Sequence, residues 1–159
     1  MELTVPLDEA VAVLRATGAL PSAVTNVRGR GRSVLASVNV HELPGVAAAV
    51  KTAARFAGPF EAQLDDRGTA GRTWTLELRV THPVLRFDLS GFVTDAVKQQ
   101  LAKAPAGVAT AHAENGATVV SVDLDAAVAV LPLPAAGLRP RIEDAQLGEQ
   151  VRLSASMGR

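Results

Sequence analysis

The hydrophobic and polar positions of this chain follow helical spacing in some segments and strand spacing in others. Two segments place apolar residues every three or four positions, which predicts amphipathic helices near residues 8–17 and 93–103. An alanine-rich stretch predicts a third helix near residues 45–57. The apolar positions are Leu7, Ala10, Val11 and Leu14 in the first helix and Val93, Ala96, Val97 and Leu101 in the second.

Polar residues, glycine and proline indicate where two of these helices begin and end. Asp8 and Thr94 are the predicted N-caps, because their side-chain oxygens can accept an unpaired N–H of the first turn. Gly18 is the predicted C-terminal cap of the first helix, because glycine adopts positive φ at little cost. Pro21 and Pro105 then prevent either helix from continuing.

The remaining segments alternate apolar and polar residues, which is typical of half-buried strands. Asn115 and Gly116 predict a tight hairpin, and Gly29 and Gly31 are the corresponding residues of an earlier one. A turn is predicted over residues 65–72, where aspartate side chains ordinarily bond to the backbone. Further hairpins are predicted from strands 60–64 with 73–80 and 142–147 with 151–156.

Two seven-residue segments of the chain are similar: "SVNVHEL" at residues 37–43 and "SVDLDAA" at residues 121–127. Helix and hairpin signals flank both copies in the same order. We therefore predict an α+β fold, mainly antiparallel sheet, in a single domain 1–159 made of two strand–helix–hairpin–hairpin repeats, 1–82 and 83–159. A half of this size would bury too little surface alone, so we expect the repeats to share one core about a pseudo-two-fold axis.

Composition narrows the classes of protein. Hydrophobic residues make up 48% of the chain but aromatic residues only 3%, so few rings are present to stack on nucleic-acid bases. Sixteen basic and sixteen acidic residues balance, which also argues against nucleic acid as a partner. The chain has no cysteine, which excludes disulfides and thiolate chemistry.

Targeting signals are missing from the patterns of this sequence. The N-terminal "MELTVPLDEA" does not place an apolar region after a basic one, so no secretory signal is predicted. No apolar run reaches the roughly 18 residues of a transmembrane segment. These features predict a soluble, cytoplasmic protein.

Polar residues in the two similar segments, 37–43 and 121–127, suggest one candidate metal site. Strand spacing would place Asn39 and His41 on one face and Asp123 and Asp125 on the matching face. Two carboxylates, an imidazole and an amide could hold a divalent cation, as in a metal-dependent enzyme. The alternative is that all four are the outward-facing positions of half-exposed strands.

The basic stretch "RGRGR" at residues 28–32 is a second candidate. Arginine side chains match the oxygens of a phosphate group, and glycines let the backbone approach it. The alternative is an ordinary solvated hairpin tip. No lysine followed by serine or threonine completes a nucleotide-binding loop here, so nucleotide hydrolysis is not predicted.

The third candidate is apolar. All five aromatic residues fall between residues 56 and 92, where they form either ordinary core or the wall of a cavity for an acyl chain. The predicted wall consists of Phe56, Phe60, Trp74, Phe87, Phe92, Val97 and Leu101.

The second half of the chain resembles a known family. The segment "FDLSGFVTDAVKQQLAK", the hairpin "GVATAHAENGATVVSVDL" and the ending "LPLPAAGLRPRIEDAQLGEQVRLSASM" resemble TULIP-like lipid-binding domains of actinobacterial cell-envelope proteins. The resemblance covers residues 86–156. It implies a curved sheet that holds a helix over an apolar, lipid-binding groove without catalytic residues.

We therefore expect a non-enzymatic binding protein for a hydrophobic, lipid-like ligand held in an apolar cavity or groove, with no cofactor. The alternative is a structural or adaptor domain that binds a protein partner or forms a homodimer. A metal-dependent enzyme is the remaining possibility.

Overall fold

A computed structural model describes residues 1–43, 45–86, 88–129 and 139–158. Its helices are α1 (Leu7–Ala16), α2 (Ala48–Ala57), α3 (Ser90–Leu101) and α4 (Leu124–Ala129), with a 3-10 turn at Val40–Glu42. Its strands are β1 (Glu2–Pro6), β2 (Val24–Arg30), β3 (Ser33–Val38), β4 (Phe60–Ala70), β5 (Thr73–Thr81), β6 (Ala109–Glu114), β7 (Ala117–Asp123), β8 (Arg139–Leu147) and β9 (Gln150–Gly158).

The described strands form two antiparallel sheets. The larger sheet has the order β2-β3-β4-β5-β7-β6, and the smaller has the order β1-β9-β8. Two pairings join distant parts of the chain: Trp74 of β5 lies opposite Val122 of β7, and Leu3 of β1 lies opposite Leu153 of β9. Both sheets therefore combine strands from the two halves of the sequence.

The main core lies between the larger sheet and the helices α2 and α3. Phe60 of β4 is its largest fully buried side chain, at 1% exposure. Ala54 of α2 and Val93 of α3 belong to the same buried cluster. Burying side chains of this size stabilises the fold by roughly 1.5–3 kcal/mol for each large one.

The smaller sheet is attached to β4 by side chains instead of a backbone ladder. β3 begins at Ser33, opposite Asp65, so none of the described strands forms a backbone ladder with the rest of β4 on that side. β8 lies there, and three side chains from β4 and the turn after it bond to its backbone. The Leu147 N–H donates to Asp66 Oδ2 at 2.9 Å, the Ala145 N–H donates to Thr69 Oγ1 at 3.4 Å, and Arg72 Nη1 donates to the Ile142 carbonyl at 2.5 Å.

The turn between β8 and β9 also packs closely against the tip of the β2–β3 hairpin. A Cβ added to Gly29 would lie 2.5 Å from the Cα of Glu149. A Cβ added to Gly148 would overlap the carbonyl oxygen of Gly31. Only residues without a side chain allow this approach of two backbones.

The predicted class of fold is confirmed: the protein is α+β with mainly antiparallel sheets. The helices near residues 8–17, 45–57 and 93–103 are present with shifted ends, and α4 is an additional short helix. The order helix, hairpin, helix, hairpin occurs twice, in α1 to β5 and in α3 to β9. The pseudo-two-fold relation of the two repeats, 1–82 and 83–159, stays a prediction.

The observed ends of α1 confirm one of its two predicted caps. Gly18 confirms its prediction: it has φ of 74°, and the Ala19 and Gly18 N–H groups bond to the carbonyls of Leu14 and Arg15, a Schellman motif. The N-cap prediction for Asp8 was wrong, because α1 begins at Leu7, after Pro6, so Asp8 lies within its first turn.

The other predicted N-cap was also wrong. Thr94 lies inside α3 and is buried, with its hydroxyl 2.7 Å from the hydroxyl of Thr118 on β7. The start of α3 instead has Asp88, whose carboxylate accepts bonds from the backbone and hydroxyl of Ser90. These bonds lower the pKa of Asp88.

The end of β4 also differs from the prediction. The turn expected over residues 65–72 is mostly strand, since β4 continues to Ala70 through a bulge between Asp66 and Gly68. Asn115 and Gly116 do form the predicted tight turn, with φ of 50° and 75°.

Across the described residues, none of the helices has the length and apolar character needed to cross a bilayer.

The glycine contact between the two hairpins generates a testable prediction. We expect Gly29→Ala to destabilise the protein by about 2 kcal/mol, because its new methyl group would meet the backbone of Glu149. Gly91→Ala is the matched control, since Gly91 lies in α3 with no atom within 4 Å of an added Cβ. The control should be neutral or slightly stabilising. Urea denaturation measures both, and equal stability of the two variants would contradict the close approach.

Candidate functional site

An open groove lies between the last turn of α3 and the edge strand β6. Its volume is about 540 Å³, which is within the range of small-molecule sites. Alanines and other small or aliphatic residues dominate its lining, and Lys98 contributes an ammonium group. The lining residues are Lys98, Leu101, Ala102, Ala104, Pro105, Ala106, Gly107, Ala109, Thr110 and Ala111.

The packing of α3 explains where the groove opens. Val93 and Thr94 are buried near the start of the helix, and Val97 packs against the core one turn later. Leu101, a further turn along the same side of the helix, lines the groove together with Ala109 and Ala111 of β6. Small side chains on the strand therefore leave space beneath the end of the helix.

The predicted aromatic wall is divided between separate places. Trp74 lies on the same sheet face as the groove, opposite Val122, which in turn lies opposite Ala109, so it is roughly 10 Å from the edge strand. Phe60 is nine positions from Thr69, the partner of Trp74, and thus roughly 30 Å away along β4. Of the two predicted wall residues on the later turns of α3, Leu101 lines the groove, whereas Val97 packs against the main core.

The other predicted wall residues lie at the surface or beyond the described part of the chain. Phe56 is 87% exposed at the end of α2, and Phe92 is exposed in the first turn of α3. Phe87 lies outside the described residues.

A histidine organises the surface next to Phe56. His82 packs on Phe60, with ring centroids 4.9 Å apart, and its Nε2 lies 3.2 Å from the carbonyl of Ala57. Its Nδ1 accepts the N–H groups of Val84 and Leu85, each at 3.0 Å. This arrangement fixes the loop after β5 beside the end of α2, where Val84 is 75% exposed.

The four candidate metal ligands do not share the strand faces that the prediction assumed. β3 ends at Val38, so Asn39 precedes the 3-10 turn that contains His41. β7 ends at Asp123, and Asp125 lies in α4. Among the described residues, no group of three or more acidic or histidine side chains is arranged to hold a metal ion.

The two aspartates have structural partners. Asp123 Oδ1 accepts the N–H groups of Asp125 and Ala126 and so caps the start of α4. Asp125 pairs with Arg72, whose hydrogen bonds lower the pKa of the Asp125 carboxyl. These contacts explain both carboxylates without a cation.

The basic stretch at residues 28–32 is divided between the two faces of the sheet. Arg28 lies opposite Leu35 and pairs with Glu61 at 3.6 Å, whereas Gly29 lies opposite the buried Val34 and faces the β8–β9 turn. Arg32 lies in the hairpin turn and reaches a different carboxylate, that of Asp66, at 3.4 Å.

Asp66 is a buried charged group that connects four parts of the structure. Its side chain is 0% exposed. Its Oδ1 accepts the N–H of Gly68 at 2.7 Å and the indole N–H of Trp74 at 3.0 Å, and its Oδ2 accepts the N–H of Leu147. Burial alone would raise the pKa of Asp66, but these three donors and Arg32 together lower it.

The importance of Asp66 is missed by sequence reasoning. The expected local bond is present, from Gly68 to Asp66. The bonds from Trp74 and Leu147 depend on a bulge and on a strand 81 positions away. The signal in the sequence is an Asp-x-Gly turn pattern, which does not distinguish a surface turn from a buried bulge.

We compared the chain with known protein families, curated proteins and solved structures. No protein-family model, no curated protein and no solved structure matches the chain.

The lowered pKa of Asp66 generates a prediction about pH. An unfolded aspartate has a pKa of about 3.9, so the Asp66 carboxylate stabilises the fold above that pH, and this contribution is lost as pH falls towards the lower folded pKa. We expect Asp66→Asn to destabilise the protein by about 2 to 3 kcal/mol at pH 7. The difference from wild type should shrink below about pH 4.

Urea denaturation between pH 3 and pH 7, about the range in which carboxylates titrate, measures this difference. Asp95→Asn on the exposed side of α3 is the control and should stay within about 0.5 kcal/mol of wild type. A difference between wild type and Asp66→Asn that is independent of pH would show that the charge of Asp66 does not stabilise the fold.

Proposed function

We propose that this protein binds a hydrophobic, lipid-like ligand, without catalysing a reaction, in the groove between α3 and β6. The observation that carries the proposal is the groove of about 540 Å³ with its mainly aliphatic lining. Apolar sites of this size with a few polar groups are typical of small-molecule binding. The resemblance of residues 86–156 to TULIP-like lipid-binding domains supports the same class of ligand.

The polar residues of the groove suggest how the ligand is oriented. Lys98 places an ammonium group at the groove, and Thr110 adds a hydroxyl. An acyl chain would lie along Leu101 and the alanines of β6, with a carboxylate or phosphate end near Lys98. Val122 and Trp74 lie on the same sheet face as Ala109, so a longer chain would extend along this face towards Trp74.

The first experiment is extraction of the purified protein with organic solvent, followed by mass spectrometry. We expect a stoichiometric lipid, whose mass identifies the class of ligand. A blank extract, together with no change in melting temperature on adding fatty acids or phospholipids, would contradict the proposal.

A substitution that fills the groove with a larger side chain tests the proposal by mutation. We expect Ala111→Phe to reduce binding of a fluorescent fatty acid by about tenfold or more, because the ring would occupy the space beside Leu101. Ala113→Phe is the control: Ala113 is exposed on the same strand and is not part of the groove lining. Both variants should melt near the wild-type temperature. Equal affinities of the two variants for the fatty acid would show that the ligand does not bind in this groove.

A protein partner is the second candidate function, favoured by the exposed apolar residues beside His82. Phe56 and Val84 are 87% and 75% exposed on segments that His82 holds together. Large exposed apolar residues in one place are typical of interaction surfaces. A blank lipid extract combined with a homodimer in light scattering that Phe56→Asp dissociates would favour this function over lipid binding.

A further inference from the structure

We propose that the pocket between the β2–β3 turn and the β8–β9 hairpin binds an oxyanion of the phosphate type. The pocket has a volume of about 310 Å³ and lies apart from the α3–β6 groove. Its lining is mainly polar, with one arginine from each hairpin and two glutamines from β8 and β9. The lining residues are Gly31, Arg32, Gln146, Leu147, Gly148, Glu149, Gln150 and Arg152.

Two arginine side chains supply hydrogen-bond donors to the pocket. Arg32 and Arg152 line it from different elements, and a guanidinium carries several N–H donors and no acceptor. Their contacts with the described residues are long: Arg32 is 3.4 Å from Asp66, and Arg152 is 3.4 Å from the Oε1 of Gln150. Most of these donors therefore remain for a ligand rich in acceptors, and arginine forks match phosphate oxygens.

The walls of the pocket are fixed before any ligand binds. The fully buried Asp66 faces Arg32 on one side and bonds to the backbone of Leu147 on the other. The carbonyl of Glu149 also accepts the N–H of Leu7 at 3.2 Å. The Asp66 contacts and the close glycine contact at Gly148 hold the two hairpins at one spacing, and the Leu7 bond ties the β8–β9 turn to α1. This arrangement reduces the ordering needed on binding.

The charges in and around the pocket define which variants are informative. The negative charge of Glu149 opposes anion binding, and Asp66 offsets part of the positive charge of Arg32. Arg152 also lines the pocket, and its hydrogen-bond partner there is the neutral side chain of Gln150. Arg30 lies opposite Ser33, on the sheet face away from the β8–β9 turn, and is the matched arginine control.

Trp74 supplies a direct measurement. It is the single tryptophan of the chain, and its indole N–H donates to the same Asp66 carboxylate that faces Arg32. One indole cross-peak in a ¹H–¹⁵N spectrum therefore reports on the pocket. We expect inorganic phosphate to shift this peak to saturation, whereas sodium chloride of matched ionic strength should not.

Three variants separate site binding from general charge effects. We expect Arg152→Gln to weaken phosphate binding by about tenfold, Arg30→Gln to leave it unchanged, and Glu149→Gln to strengthen it. Melting temperatures check that each variant is folded. A shift that does not saturate, that chloride reproduces, or that persists unchanged in Arg152→Gln would overturn the proposal.

Vesicles distinguish the source of the phosphate group. If vesicles of phosphatidylcholine with phosphatidic acid sediment the wild type but not Arg152→Gln, the anion is a lipid headgroup. If phosphate binds in an Arg152-dependent way and the vesicles do not sediment the protein, the ligand is a soluble phosphorylated molecule. Both results support the pocket, and both are independent of whether a fatty acid enters the α3–β6 groove.

Discussion

The buried carboxylate of Asp66 is the interaction on which the arrangement of the two sheets depends. Removing a carboxylate from water is costly unless hydrogen bonds and opposite charge replace the lost hydration. At Asp66 the replacements come from β5, β8, the bulge of β4 and the β2–β3 turn. Because these donors must all be in place at once, one side chain fixes the position of β8 relative to the larger sheet. A methyl or amide group there would satisfy fewer of them.

This constraint explains the glycines at the contact between the hairpins. Once Asp66 holds Leu147, the turn that follows must pass beside the β2–β3 tip, and only Gly29 and Gly148 have room for it. β9 then carries the smaller sheet back to β1, and β5 pairs with β7 in the larger sheet. The two halves of the chain are therefore structurally interdependent, as expected when each is too small to bury its own core.

The sequence predicts features that local chemistry decides and misses those that distant contacts decide. The positive φ of Gly18 and of Asn115-Gly116 follows from the turn itself, so these positions could be predicted. Thr94 was misassigned because its hydroxyl faces Thr118 on a later strand. Among the predicted wall residues that the structure describes, Leu101 alone lines the groove, and half of the lining consists of alanines, which carry no recognisable pattern for a site.

The positions of the two proposed sites follow from the same architecture. The α3–β6 groove lies at one edge of the larger sheet and the arginine pocket at the other, about five strand spacings or roughly 24 Å apart. The groove exists because small side chains leave a helix end unfilled, whereas the pocket exists because a buried charge holds two hairpin turns together. One depends on the absence of side-chain volume and the other on the presence of charge.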